Sequence, residues 1–275
     1  FSPPQKNARR TRNTISIEET RRAILRWHDE NARDLTWRGE TDPYKIWISE
    51  IMLQQTRTET VGPYYHAFLT AFPTVQALSD ASEQALFKQW EGLGYYSRAR
   101  NLQKAARVIC RELGGAFPNT VEGLRALPGI GPYTAGAVSS IAFHLPEPAV
   151  DGNQARALAR LFEIDSPLGK PETVRALDAA ARLLLDESRP GDFNQALMGL
   201  GAMICKPVPH CDACPARAYC AAHGSGRERE LPVKMPKAAK KTLPVAVALV
   251  YREGRILVRQ RPNRGLLASL WEFPT

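Results

Sequence analysis

Residues 124–143 read LRALPGIGPYTAGAVSSIAF, and the fold turns on how this stretch is understood. An apolar helical run stops at a short turn holding Gly129 and Gly131, and a second apolar helix begins at once. Glycines in such a turn let the backbone approach a ligand closely. The second helix offers unpaired N–H groups and the positive end of its dipole. Together these make an uncharged grip on a phosphodiester. A plain inter-helix turn has the same pattern, so G-x-G between helices does not decide the matter alone.

On either side, residues 14 to 223 keep a helical period almost throughout. Ser16 with Glu19, and Asp80 with Glu83, read as capping boxes that open helices. Gly and Pro recur at 92–94, 114–118, 128–132 and 146–148, which predicts short helices joined by tight turns. From residue 243 the pattern changes. VAVALVY, REGR and ILVRQR predict a hairpin of two strands. Residues 224–242, GSGRERELPVKMPKAAKKT, form a polar, basic, Pro-containing linker before it. A hairpin segment of about 33 residues cannot bury a core alone, so the chain is expected to stop inside a second domain. No internal repeat is visible.

The 275 residues suffice for two domains, and 44% apolar with 24% charged residues is a globular composition. No apolar run nears the ~18–20 residues that span a bilayer. The N-terminal FSPPQKNARRTRNT has basic residues but neither an apolar signal core nor an initiating Met. Membrane and secreted classes are therefore not expected. The net charge of +9 is unevenly spread: residues 1–12 carry +4, 224–242 another +4 and 243–275 +3, which leaves −2 for 13–223. Affinity for a polyanion is expected in the tails and in local patches.

Four of the five cysteines crowd into residues 205–220 as C-x5-C-x2-C-x5-C: Cys205, Cys211, Cys214 and Cys220. Four thiolates so close suit one metal centre rather than a disulfide framework. Zinc usually takes two separated C-x2-C knuckles, and here there is one, which favours an iron–sulfur cluster. Reduced cysteines without a metal are the alternative. Cys110, alone in helical sequence, reads as a packed core thiol.

Two carboxylates have suggestive surroundings. Glu50 lies in IWISEIMLQQT, where helical neighbours Ile46, Trp47 and Leu53 are apolar and Gln54 is not. A carboxyl placed there loses hydration, its pKa rises and it becomes a proton donor near neutral pH. A head group that reaches solvent or pairs with an Arg is the plainer reading. Asp151, in AVDGNQARALARL, sits where a helix N-cap belongs, a role that keeps a carboxylate ionised. Nothing in their separation along the chain shows that the two meet.

Taken together, these blocks resemble the adenine DNA glycosylase (MutY) family of the helix-hairpin-helix superfamily. DPYKIWISEIMLQQTRTETVGPYY, WEGLGYYSRARNL, LPGIGPYTAGAV, AVDGNQARALARL and FNQALMGLGAMIC stand in that family's order. Residues 243–275 are similar to the opening of its Nudix-like lesion-recognition domain. The resemblance implies a mostly α, two-lobed fold. Residues 35–150 would form a six-helix domain with the hairpin. Residues 14–34 and 151–223 would form a lobe holding a [4Fe–4S] cluster on Cys205, Cys211, Cys214 and Cys220. The linker 224–242 would lead to the incomplete Nudix-like part.

By the same resemblance the chain acts in base excision repair. It would hydrolyse the N-glycosidic bond of an adenine opposite 8-oxoguanine or guanine in double-stranded DNA, after flipping that base from the stack. Glu50 matches the catalytic acid and Asp151 the second carboxylate, with Tyr133 and Asn153 orienting them. Arg33, Trp37 and Gln195 match the adenine pocket. Gln55, Thr56, Leu93 and Tyr95 match residues that wedge the duplex or touch the lesion, and Gly129 and Gly131 the phosphate-binding turn. A monomer is implied, cytoplasmic and nucleoid-associated in a bacterium.

Four departures qualify the resemblance. Tyr133 stands where endonuclease III relatives have a lysine, which removes the amine for a Schiff base. Cys205 and Cys211 enclose five residues instead of the usual six, so the loop must tighten for the cluster to form. Thr36 replaces a frequent Pro. The lesion-reading part breaks off at Thr275, so discrimination is expected to be poorer and its strands to be an aggregation hazard. Two other functions remain open at this point: an endonuclease III-like pyrimidine-damage glycosylase and lyase, and a non-catalytic iron–sulfur DNA-binding module.

Overall fold

Ser16 caps the first described helix by accepting the Glu19 N–H, the first half of the expected capping box. A computed structural model describes residues 16–235, 242, 244–262, 265 and 267–275. The basic stretch 1–12 and Lys237, Lys240 and Lys241 of the linker lie outside the described residues. The described residues form twelve α-helices: α1 (Ile17–Asn31), α2 (Pro43–Leu53), α3 (Thr58–Ala71), α4 (Val75–Asp80), α5 (Glu83–Trp90), α6 (Ser97–Glu112), α7 (Val121–Ala126), α8 (Pro132–Ala142), α9 (Gly152–Leu161), α10 (Pro171–Leu184), α11 (Pro190–Met203) and α12 (Ala221–Ser225). The expected cap at Asp80 is not found. Asp80 ends α4 and accepts from Gln76, while Ser82 caps α5 by accepting from the Ala85 N–H. Ser82 lies one residue before the helix and wins the capping position.

The apolar faces close into two clusters. One is built by α2 to α8 around Ile48, Met52, Phe68 and Trp90, each essentially without exposure. The other joins α1 to α9, α10 and α11 through Ile24, Leu158, Leu184 and Phe193. Each such side chain contributes about 1.5–3 kcal/mol on burial. The N-terminal helix thus packs with helices more than a hundred residues away, and α2 to α8 lie between them in sequence.

The clusters meet where α8 passes α11. Asn194, 2% exposed, donates to Ser140 Oγ and to the Glu147 carbonyl, and accepts from the Ala149 N–H. Gln154 on α9 donates to the Asn194 carbonyl. One amide therefore holds α8, the 147–149 segment and α9 together. Gly136 makes the approach possible, since a Cβ there would lie 2.0 Å from the Pro148 carbonyl oxygen.

The 124–143 stretch forms α7, a turn and α8. Gly129 has φ +80°, and a Cβ there would meet Asn101 at 2.6 Å. Gly131 is the N-cap of α8 and gives it no side-chain cap, so the first N–H groups of α8 lack that partner.

The strands differ from expectation. A hairpin does form, but only Tyr251–Arg252 (β1) pairs with Arg255–Ile256 (β2), across Glu253 and Gly254 with positive φ. The chain then turns aside, and Arg259–Gln260 (β3) pairs with Trp271–Glu272 (β4). Val245, Val247, Leu249 and Tyr251 are exposed, and among the described residues no second layer covers them. Among the described residues, no helix is long and apolar enough to cross a membrane.

Candidate active site

Helix α2 starts from the Asp42 cap with Pro43 in its first turn, and it buries almost its whole length. Glu50 is carried inward with it and is 6% exposed. The Tyr133 hydroxyl on α8 donates to Glu50 Oε2 at 2.5 Å. Burial pushes the Glu50 carboxyl up from 4.5 to about 7. The Tyr133 bond opposes this, the nearby Asp151 charge reinforces it, and Arg38 opposes it again. The solvent-reaching head group of the plainer reading is not what the fold contains.

Asp151 caps α9. Its Oδ1 accepts the Gln154 N–H at 2.7 Å, and its Oδ2 accepts from Asn153 Nδ2 at 3.1 Å. Burial nonetheless dominates and raises its pKa, against the bonds from Gln154 and Asn153. An exposed N-cap would have gone the other way, and the reason is the wall of α8 and α11 around it. Arg156 fixes Asn153 from behind: Nη2 donates to Asn153 Oδ1 and to the Gly201 carbonyl, and Nε to the Cys205 carbonyl. Gly201 permits this packing, since a Cβ there would fall 2.6 Å from the Asn153 carbonyl oxygen.

These groups open on one cavity of about 530 Å³. Glu50, Tyr133, Asp151 and Asn153 line it, as do Arg33, Trp37 and Gln195, and Gln55 and Thr56 reach its rim. Trp37 is set by an edge-on contact with Tyr65, ring centroids 5.8 Å apart. Four other expected residues lie elsewhere. Leu93 is 6% exposed and belongs to the first core, while Tyr95 beside it is 64% exposed with φ +48°. Gly129 borders a separate cavity of about 220 Å³ with Arg98 and Asn101. Gly131 stays at the head of α8.

Three residues that the sequence reading did not single out also matter. Arg38 lines the cavity, and burial lowers its pKa while Glu50 raises it. Met198 places its sulfur 3.9 Å from the Tyr133 hydroxyl. Its position three after Gln195 put it on the same helical face, and Arg38 directly follows Trp37. Arg98, in the first turn of α6, had no such signal.

The second candidate centre is the cysteine cavity. Cys205, Cys211, Cys214 and Cys220 line it together with Arg160, His223 and Glu228. Burial and the neighbouring thiols raise Cys214 to about 12 and Cys220 to about 11. Arg160 brackets the short x5 loop: it reaches Cys205 Sγ at 3.3 Å and donates to the Lys206, Pro207 and Leu231 carbonyls. The loop is tightened further by the His210 N–H on the Ile204 carbonyl. Four sulfurs facing one apolar cavity fit a four-thiolate centre, and thiols so costly to ionise alone are the ones a bound cation would deprotonate. His223 Nδ1 and Glu228 Oε2 are buried there without hydrogen-bond partners. Cys110, expected in the core, is half-buried on α6, beside rather than on the face that carries Ile109.

Comparison with known proteins agrees with this geometry. Residues 48–182 match the family described as HhH-GPD superfamily base excision DNA repair protein. An adenine DNA glycosylase of Rattus norvegicus is 41% identical over 93% of this chain and 60% of its own length. One from Buchnera aphidicola subsp. Baizongia pistaciae (strain Bp) is 37% identical over 91% of this chain and 72% of its own. The chain thus spans about 60% of the length of the rat relative. Among solved structures, a thermostable thymine-DNA glycosylase superposes with a TM-score of 0.70 at 29% identity, over 76% of this chain and 97% of that one. With the hairpin, the paired carboxyls and these relatives in place, the chain belongs to the adenine DNA glycosylase family within the helix-hairpin-helix superfamily.

Proposed function

We propose that the chain hydrolyses the N-glycosidic bond of adenine opposite 8-oxoguanine or guanine in double-stranded DNA, as a monofunctional base excision repair glycosylase. One observation carries this reading. A buried carboxyl with a pKa of about 7, held by a tyrosine hydroxyl, shares a cavity with a second carboxylate. Adenine leaves badly as an anion, so a ring nitrogen must take a proton as the bond to the sugar breaks. Glu50 keeps that proton near neutrality and gives it to the base. Asp151 faces the sugar, which gains oxocarbenium character, and its negative charge stabilises that carbon until water adds. Tyr133 and Asn153 hold the two carboxyls in place, and Arg33, Trp37 and Gln195 receive the extruded base. The water proton returns to the active site, and an abasic site and free adenine are released.

No lysine lines this cavity among the described residues. The amine that a lyase needs is therefore missing from the place where Tyr133 stands, which speaks against the endonuclease III-like reading. The four cysteines would hold a [4Fe–4S] cluster, which would close the 205–220 loop on itself. Arg160 then serves that loop, and Arg156 links it to Asn153. Absorbance near 400 nm with about four irons and four sulfides per chain supports the cluster, and stoichiometric zinc overturns it. The uncapped head of α8 beside Gly129 and Gly131 supports double-stranded DNA as partner; a monomer acting in the cytoplasm, nucleoid-associated in a bacterium, is what the resemblance implies.

The deciding experiment compares wild type with Glu50→Gln for adenine release from duplexes with A opposite 8-oxoguanine. Loss of release in the variant is expected, and equal rates would remove Glu50 as the acid. Borohydride trapping on abasic DNA is expected to give little adduct, and a strong adduct would favour a lyase.

A further inference from the structure

Two turns, one lining the cavity and one outside it, hold non-glycine residues in the left-handed region: Gln55 at φ +58° and Tyr95 at φ +48°. Such conformations persist only where the surroundings over-determine them. Both side chains are exposed, so core packing does not hold either residue. Arg98 does. Its Nη1 donates to the carbonyls of Ile51, Met52 and Gln54, at 2.9, 3.0 and 2.6 Å. Its Nη2 donates to the carbonyls of Leu93 and Gly94, at 2.9 and 3.3 Å, and reaches the Thr56 hydroxyl at 3.4 Å. The guanidinium also lies over the Trp90 and Tyr95 rings, 5.3 and 5.8 Å from their centroids. Trp90 Nε1 adds a bond to the Gly94 carbonyl.

The division of labour is geometric. One arm of the fork takes the end of α2 and the turn that follows it, the other takes the 93–94 turn, and only a planar, two-armed cation serves both at a fixed separation. The Ile51 and Met52 carbonyls are among those a helix end leaves unpaired, so the same group also caps α2. Arg98 bonds to neither Glu50 nor Asp151.

We propose that Arg98 is a positioning residue that sets the spacing between the 54–56 and 93–95 turns, and through it the discrimination between a mispaired and a fully paired duplex. This rests on the DNA-glycosylase reading above. It assigns to Arg98 the fit of the two exposed turns against the duplex and leaves bond breaking to the carboxyls. Leu93, buried in the core, anchors the second turn from below while Tyr95 projects from it.

Arg98→Lys keeps the charge, but its single ammonium serves one turn only. The test measures binding to a duplex with non-cleavable 2′-fluoro-deoxyadenosine opposite 8-oxoguanine, binding to the same duplex with an A·T pair, and the release rate at saturating enzyme on the cleavable mispair. The ratio of the two affinities is expected to fall about tenfold, while the saturated rate stays within about threefold. An unchanged ratio overturns the proposal, as does a saturated rate that falls as far as the ratio. Amide exchange is the second measurement. Residues 53–56 and 92–95 are expected to exchange faster together in Arg98→Lys, and acceleration in one turn alone overturns the shared bracket. Should the variant not fold, exchange of the wild type in sub-denaturing urea decides: one common opening supports the bracket, and separate openings sink it. If wild type releases adenine from no duplex, the functional reading fails, and exchange still judges the bracket by itself.

Discussion

Glu50 is useful because it is misplaced. Its native state disfavours the charged form, so the unfolded chain gives up this proton at about 4.5 and the folded one at about 7. Below the lower value the burial costs nothing in stability. Between the two values stability falls as pH rises, and above the upper one the cost levels off at about 3 kcal/mol. Glu50→Gln removes that cost. Its melting temperature relative to wild type is expected to climb by about 5–10 °C from pH 4 to pH 8, followed by circular dichroism, although the variant releases no adenine. A difference that does not change with pH would show that the carboxyl is not held neutral. Base release by wild type is expected to decline above about pH 7. Tyr133→Phe deletes a bond that favours the carboxylate, so it moves this decline to higher pH. Asp151→Asn deletes a like charge and moves it lower. Single-turnover rates from pH 5 to 9 check both directions. The burial of Glu50 was half legible: Ile46, Trp47 and Leu53 surround it on the helix, but the same window also suits a head group that reaches solvent, and only the packing of α2 decides between them. Arg38 was not legible as a tuning charge, because only the folded chain brings it near Glu50.

At the scale of elements, close backbone approach holds Asp151 in place. A methyl at Gly136 would strike the Pro148 carbonyl at 2.0 Å, three residues before Asp151. Gly136→Ala therefore pushes α8 off the 147–149 segment, and about 1–3 kcal/mol of stability is expected to go with it. Gly152→Ala is the control: open space surrounds that position, and the change is expected to be neutral or slightly stabilising. Urea melts of the two variants check the contrast, and equal midpoints would refute it. Local elements were readable where one residue decides them, as at the Ser16 and Asp151 caps and at the 129–131 turn. They were misread where two residues compete, as Asp80 and Ser82 do before α5. The strands after 243 were half readable. The turn between VAVALVY and ILVRQR was marked, but only 251–252 and 255–256 pair across it, and the partners of 259–260 lie at 271–272, a ladder that carries no local pattern. The packing of α1 with α9 to α11 had no local signal either, because it is decided by matching apolar faces across the chain.

For the whole molecule, the question is what the positive, poorly covered tail contributes. Both apolar clusters are complete by Ala216, and the last segment they need ends near Val233, whose carbonyl accepts the Leu168 N–H. Among the described residues from 244 onward, Ala268 is the one buried apolar side chain. The contact of that segment with the helices includes Arg100 on the Ala268 carbonyl. A chain ending at Met235 is therefore expected to melt within about 3 °C of the longer one, since little apolar area is removed from either core. It should also scatter less light on storage, because Val245, Val247, Leu249, Tyr251 and Trp271 no longer offer exposed apolar surface beside unpaired strand edges. The same cut removes eight Lys and Arg against two Glu. Binding to any duplex is then expected to weaken, and the fall of log K with log salt to become shallower, by about 0.9 for each phosphate that the tail no longer neutralises. The two effects separate the roles of the tail. A melting temperature far below that of the longer chain would mean that the segment braces the helices, and an unchanged salt slope would mean that its cations never reach the phosphates. With stability kept and the slope reduced, fold and chemistry reside in the helical lobes, and the tail's cations hold the duplex through charge.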